Sequence, residues 1–214
     1  MTKLARAEQL AQSIGLVVGA VGGAPVDQYE NPTPDSAWTV KDLVNHIAMM
    51  LVLTREVGTR TAWDPDLLAA NPVPLLAGRP ESEWALLVNS EAESAARAWS
   101  EPAAWQGEAS LGGPPMPAEA LGEILIAEFA IHAWDVAAAT GQRIDVPESL
   151  ARTMLGTYAR EAPRMRSVGL LADAVPQDAH APLFDRTLAL SGRNPRWNSP
   201  RTGSGTVSTL PDVR

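Results

Sequence analysis

Glu128-Phe129-Ala130-Ile131-His132-Ala133-Trp134-Asp135 sets a carboxylate and an imidazole four residues apart in a segment that otherwise reads as a buried helix. Residues i and i+4 lie one above the other on a helix face. Leu121, Ile124, Leu125 and Ile131 place Glu128 and His132 within the same apolar stripe. A carboxylate in such a stripe is costly unless it is paired or bound to a metal. The spacing predicts a helix from about Ala118 to Thr140, stopped by Gly141.

Working outward, Thr39 followed by Asp42 has capping-box spacing, with Asp in place of the usual Glu. It opens a second helix with an apolar face of Val40, Leu43, Val44, Ile47, Met50 and Leu51, reaching about Arg60. His46 lies on or at the edge of that face. Helical spacing also marks residues 3–21, ended by Gly22, Gly23 and Pro25, and residues 81–99. Pro- and Gly-rich connections at 61–80 and 101–117 are the expected pocket walls, with a short extended piece within 106–111. Four long helices with at least one long crossover predict a mainly α fold, a four-helix bundle over residues 1–141. Residues 142–197 read as a small, mostly helical C-terminal extension, with helices at 147–162 and 182–191 and an extended piece at 168–174. Residues 198–214 show no periodicity and are expected to form a disordered tail.

Composition narrows the function classes. No uninterrupted apolar run of about 18 residues is present, so no membrane span is expected. The absence of Cys excludes disulfides, a Cys nucleophile and thiolate metal sites, and makes the cytoplasm the default location. A net charge of -8 leaves no basic cluster to neutralise phosphates, which argues against nucleic acid and for a small-molecule partner. Arg far outnumbers Lys, and Ala, Gly and Pro are abundant, a pattern of GC-rich bacterial genomes.

His46, Glu128 and His132 thus stand on inward faces of two helices. Two imidazoles and one carboxylate suit a divalent transition metal and leave positions open for water or substrate. On spacing alone, hydrogen-bonded core histidines and a solvated Glu–His pair are the alternatives. Asp135, one turn beyond His132, is either an acceptor that orients an imidazole or a helix-end residue contacting solvent or an Arg. Trp38 and Trp134 read as packing residues, and His180 as an exposed loop residue. Arg143, Arg152, Arg160, Arg164 and Arg166 read as a solvated helix face rather than an anion-binding edge.

Trp38-Thr39-Val40-Lys41-Asp42-Leu43-Val44-Asn45-His46 and Glu128-x-x-x-His132-Ala133-Trp134-Asp135-x-x-x-Ala139-Thr140-Gly141 resemble the motifs of the DinB-like superfamily. More closely, they resemble its actinobacterial branch around mycothiol-dependent maleylpyruvate isomerase. The segment from Ala181 to Pro195, with Phe184-Asp185-Arg186 and Gly192-Arg193-Asn194, resembles the ending of short members known only as metal-binding proteins. The resemblance implies a DinB-like bundle with His46, Glu128 and His132 as metal ligands, all three positions being filled without substitution. The implied ion is Zn²⁺, with Ni²⁺, Fe²⁺ or Mn²⁺ compatible. It further implies an enzyme in which the metal activates an external thiol, mycothiol, as a transferase or isomerase. A thiol-independent hydrolase or Lewis-acid catalyst and a non-catalytic metal- or ligand-binding bundle are the alternatives. Pairing into a homodimer is a further family expectation.

Overall fold

Thr39 decides where the second helix begins. Its hydroxyl accepts the Asp42 backbone N–H at 3.2 Å, and the Asp42 carboxylate accepts the Thr39 N–H at 3.1 Å, the reciprocal capping box that the spacing predicts. The computed structural model describes residues 2–35, 38–62 and 74–199. Among them run six α-helices: α1 (Lys3–Gly22), α2 (Val40–Thr59), α3 (Trp84–Ser100), α4 (Ala118–Ala139), α5 (Glu148–Ser167) and α6 (Leu183–Leu190). Two short strands, β1 (Glu108–Ala109) and β2 (Met116–Pro117), pair antiparallel within the connection before α4. The expected disordered tail lies outside the described residues from position 200 onward.

The first four helices form a bundle in which α1 and α2 each pack against both α3 and α4. The α2–α4 seam is the least closely packed of the four. Helix α4 is buried along 15 of its 22 residues, because α5 covers it from outside the bundle as well. It is therefore a central helix rather than one with a single inward stripe.

One end of the bundle is pinned by two tryptophans. Trp99 donates its indole N–H to the Thr54 carbonyl at 2.8 Å, and Trp105 donates to the Trp99 carbonyl at 2.7 Å. Their rings meet edge to face with centroids 4.8 Å apart. Both sit against glycines: a Cβ on Gly58 would lie 2.7 Å from Trp99, and one on Gly122 would lie 2.3 Å from Trp105. Arg60 closes α2 in the left-handed conformation, at φ 58°, and its guanidinium reaches the carbonyls of Ala104, Gln106 and Glu108.

Two sequence expectations about the C-terminal region need correction. Helix α5 continues past residue 162 to Ser167, although Pro163 removes one backbone donor. Burial of Ala162 and Met165 on its inner side, and Arg166 bonding to the carbonyls of Ala172 and Leu190, hold the last turn. The expected extended piece at 168–174 is instead a turn. Gly169 takes φ 76°, and the N–H groups of Gly169 and Leu170 bond back to Arg166 and Met165 at 2.9 Å each. Helix α6 packs on α5, and the chain then returns toward α4 at Arg193.

Candidate metal centre

His46 and Glu128 are 82 positions apart in sequence, and the α2–α4 seam brings them to 2.9 Å, His46 Nε2 to Glu128 Oε1. His132 Nε2 approaches the same carboxylate oxygen at 3.1 Å from one helical turn away. One ligand atom from each of the three residues falls within 4.8 Å of the other two. Around a tetrahedral ion with bonds of about 2.0–2.1 Å, ligand atoms sit roughly 3.3 Å apart, and the two carboxylate–imidazole spacings are near that value. Both histidines are buried, at 7% and 6% exposure.

The second imidazole nitrogen of His132 faces Asp135, Nδ1 lying 3.0 Å from Oδ2. Asp135 is wholly buried and also accepts from Arg193, whose Nη2 lies 3.1 Å from Oδ2 and whose Nε lies 3.4 Å from Oδ1. Arg193 in turn reaches Asp35 at 2.8 Å. Both alternatives open for Asp135 thus hold together: it meets an imidazole on one side and an Arg on the other. With Nδ1–H donated to Asp135, the His132 Nε2 lone pair is left pointing at the centre, the orientation a metal ligand needs.

Charges in this cluster support one another. Burial alone would raise the Glu128 carboxyl, yet His132 and then His46 outweigh it and hold it well below the usual carboxylate range. Burial would lower His132, but the Glu128 and Asp135 carboxylates carry it up to about 9. Asp135 is held down, against its own burial, by Arg193 and His132. Both shifts favour positive charge between His132 and Glu128. That is the place where a cation is favoured.

His46, Glu128, His132, Arg193 and Asp35 line a cavity of about 470 Å³. Its walls include Met49 and Met50 from α2, Leu111 and Met116 from the β1–β2 connection, and Met165 and Leu171 from the C-terminal region. The wall expected from 101–117 is present. Of the wall expected from 61–80, residues 63–73 lie outside the described residues, and 74, 77, 78 and 79 line a separate cavity beside Lys41 and Glu81. Trp38 packs against the core as expected, and its ring also lies tilted 4.6 Å from the His46 ring and lines the cavity. Trp134 packs against the core, and His180 is exposed away from the site. Of the arginines expected on a solvated face, Arg164 also borders the cavity, while Arg160 pairs with Glu123 and Arg152 with Glu148.

The family model described as the mycothiol maleylpyruvate isomerase N-terminal domain matches residues 10–137. The chain belongs to this family. An uncharacterized protein of Mycobacterium tuberculosis, recorded from two strains, is 30% identical over 172 residues, covering 79% of this chain and 87% of the relative. The crystal structure of mycothiol-dependent maleylpyruvate isomerase superposes with a TM-score of 0.62 at 16% identity, covering 93% of this chain and 92% of that one. A histidine-to-alanine mutant of that enzyme gives 0.59 at 16% identity, with 85% and 78% covered. At this identity the likeness is one of fold. It confirms the DinB-like helical architecture expected for a maleylpyruvate isomerase relative. Among the described residues, no helix is long and apolar enough to cross a membrane.

Sequence reasoning missed Arg193, Asp35 and Tyr158 as parts of this site. Arg193 lay in the C-terminal segment that resembles short family members, but no spacing rule connects it to a carboxylate 58 residues earlier.

Proposed function

We propose that this chain is a divalent-metal enzyme of the maleylpyruvate isomerase type, in which His46, Glu128 and His132 hold the ion and a small external thiol, mycothiol, is brought to it for isomerisation or transfer. Zn²⁺ suits the donor set best, with Fe²⁺, Ni²⁺ and Mn²⁺ compatible. The convergence of three ligand atoms within 4.8 Å in the lining of one cavity carries this reading. A bound ion would supply Lewis-acid chemistry, lowering the pKa of coordinated water to about 7 or ionising a coordinated thiol.

The chain's own residues do the positioning. Asp135 fixes the His132 tautomer, Arg193 keeps Asp135 ionised, and Trp38 covers the outer side of His46. The apolar walls keep bulk water from the centre. Because the sequence has no Cys, a nucleophilic thiol has to come from outside the protein. One observation favours a second reading, a thiol-independent metal enzyme. The wall is mostly aliphatic and offers few partners to the hydroxyl groups of a sugar-bearing thiol.

Elemental analysis of protein purified without chelator tests the first claim. Wild type is expected to carry about one equivalent of metal, and His46→Ala to lose it. Absence of metal from wild type defeats the reading. In the Co²⁺-substituted protein, millimolar mycothiol should add a sulfur-to-metal charge-transfer band. An unchanged spectrum overturns the thiol reading.

A further inference from the structure

Tyr158 is 3% exposed, and its hydroxyl has no hydrogen-bond partner among the described residues. The side chain lines the cavity beside Glu128, His132 and Arg193, and the hydroxyl opens onto that space instead of being sealed in the core. A hydroxyl that faces a cavity without a protein partner is free to bond to a molecule bound there. Burial first, then the nearby Glu128 carboxylate, raises the phenol far above its ordinary range, so it keeps a proton to donate.

The rest of the cavity specifies what the donor meets. Four of the chain's six methionines, Met49, Met50, Met116 and Met165, line it together with Leu121 and Ile124. Methionine side chains are flexible and polarisable and adapt to irregular apolar shapes. The polar groups in the lining are few: the three candidate ligands, Asp35, Tyr158, Arg193 and Arg164, the last engaged by Glu161 at 3.3 Å. A lining that is mostly apolar with a few polar groups takes a molecule with an apolar body and a polar group to match them.

We infer that Tyr158 donates a hydrogen bond to an oxygen of a substrate bound beside the metal centre, and that this substrate has an apolar body ending in one carbonyl or carboxylate group. The inference rests on the metal-enzyme reading for what stands next to Tyr158, but its test can fail separately. Zinc-loaded wild type and Tyr158→Phe are titrated calorimetrically with 4-phenylbutyrate and with acetate, alongside melting curves and metal analysis. Wild type binds phenylbutyrate at least tenfold more tightly than acetate. Tyr158→Phe binds phenylbutyrate about tenfold more weakly than wild type, the size of one lost hydrogen bond, with unchanged metal content and melting temperature. Equal phenylbutyrate affinity in the two proteins overturns the donor role, and equal affinity for the two acids overturns the ligand class. A Tyr158→Phe protein that melts well below wild type makes the hydroxyl structural and also overturns it. If wild type takes up no zinc, the metal reading falls, and the same comparison on metal-free protein still decides the role of Tyr158.

Discussion

Replacing Arg193 by Met tests the support behind the centre without touching any candidate ligand. The Asp135 carboxylate is wholly buried, and its partners are one imidazole at 3.0 Å and two guanidinium contacts at 3.1 and 3.4 Å. Arg193→Met keeps the length and apolar stem of the side chain but leaves that carboxylate with His132 alone. Breaking a buried, hydrogen-bonded ion pair from one side costs about 3–5 kcal/mol, because the remaining charge stays buried without compensation. In a chain of this size that corresponds to a fall of about 10 °C in melting temperature. Because Asp135 orients His132, metal affinity should also fall, by about 10- to 100-fold. Urea unfolding and competition with a chelating dye measure the two effects. The Asp35→Asn control should cost under about 1 kcal/mol, since that side chain is 29% exposed. In the double variant Arg193→Met/Asp135→Asn, much of the stability should return, with a coupling on the order of 2 kcal/mol. A loss below about 1 kcal/mol for Arg193→Met, or strict additivity in the double variant, refutes the reasoning.

Two further outcomes follow from the same structure. In metal-stripped protein, His132 is raised from 6.5 to about 9, burial opposing the shift and the Glu128 and Asp135 carboxylates overriding it. A raised folded-state value gives stabilisation that is complete below 6.5 and lost as pH rises through 9, about 3 kcal/mol in all. Glu128 and Asp135 are shifted downward, so their contributions change only in acid and leave this window alone. Melting curves of stripped protein should therefore fall between pH 6.5 and 9, while excess Zn²⁺, taking the proton's place, removes the decline. A flat profile in stripped protein would show that the imidazole is not held as described. At the tryptophan end, Gly122→Ala places a Cβ 2.3 Å from a Trp105 ring that is anchored by its bond to the Trp99 carbonyl. Overpacking of this kind should cost about 1–3 kcal/mol in urea unfolding, with metal content unaffected.

Much of the fold was legible because its signals are local. Helical spacing and the Thr39–Asp42 cap act within a turn or two, so α1 to α4 begin and end within a residue or a few of where their patterns put them. The Glu128–His132 pair was readable for the same reason, since i and i+4 share a face whatever surrounds the helix. The turn at Gly169 was not, because a positive φ in a glycine and two bonds back to the end of α5 decide it rather than any apolar period.

What the tertiary structure alone decided is the company that the central pair keeps. His46 arrives at 2.9 Å only because the α2–α4 seam stays open enough to admit side chains between the helices. Arg193 reaches Asp135 only because α6 packs on α5 and turns the chain back toward α4. Tyr158 meets the cavity because the same extension forms one of its walls. These are contacts between segments far apart in sequence. Their geometry depends on how whole helices pack, and no local hydrogen-bond period encodes that. The sequence thus marked the helices and all three candidate ligands, His46 among them, and tertiary packing determined the distances at which they meet and the residues around them.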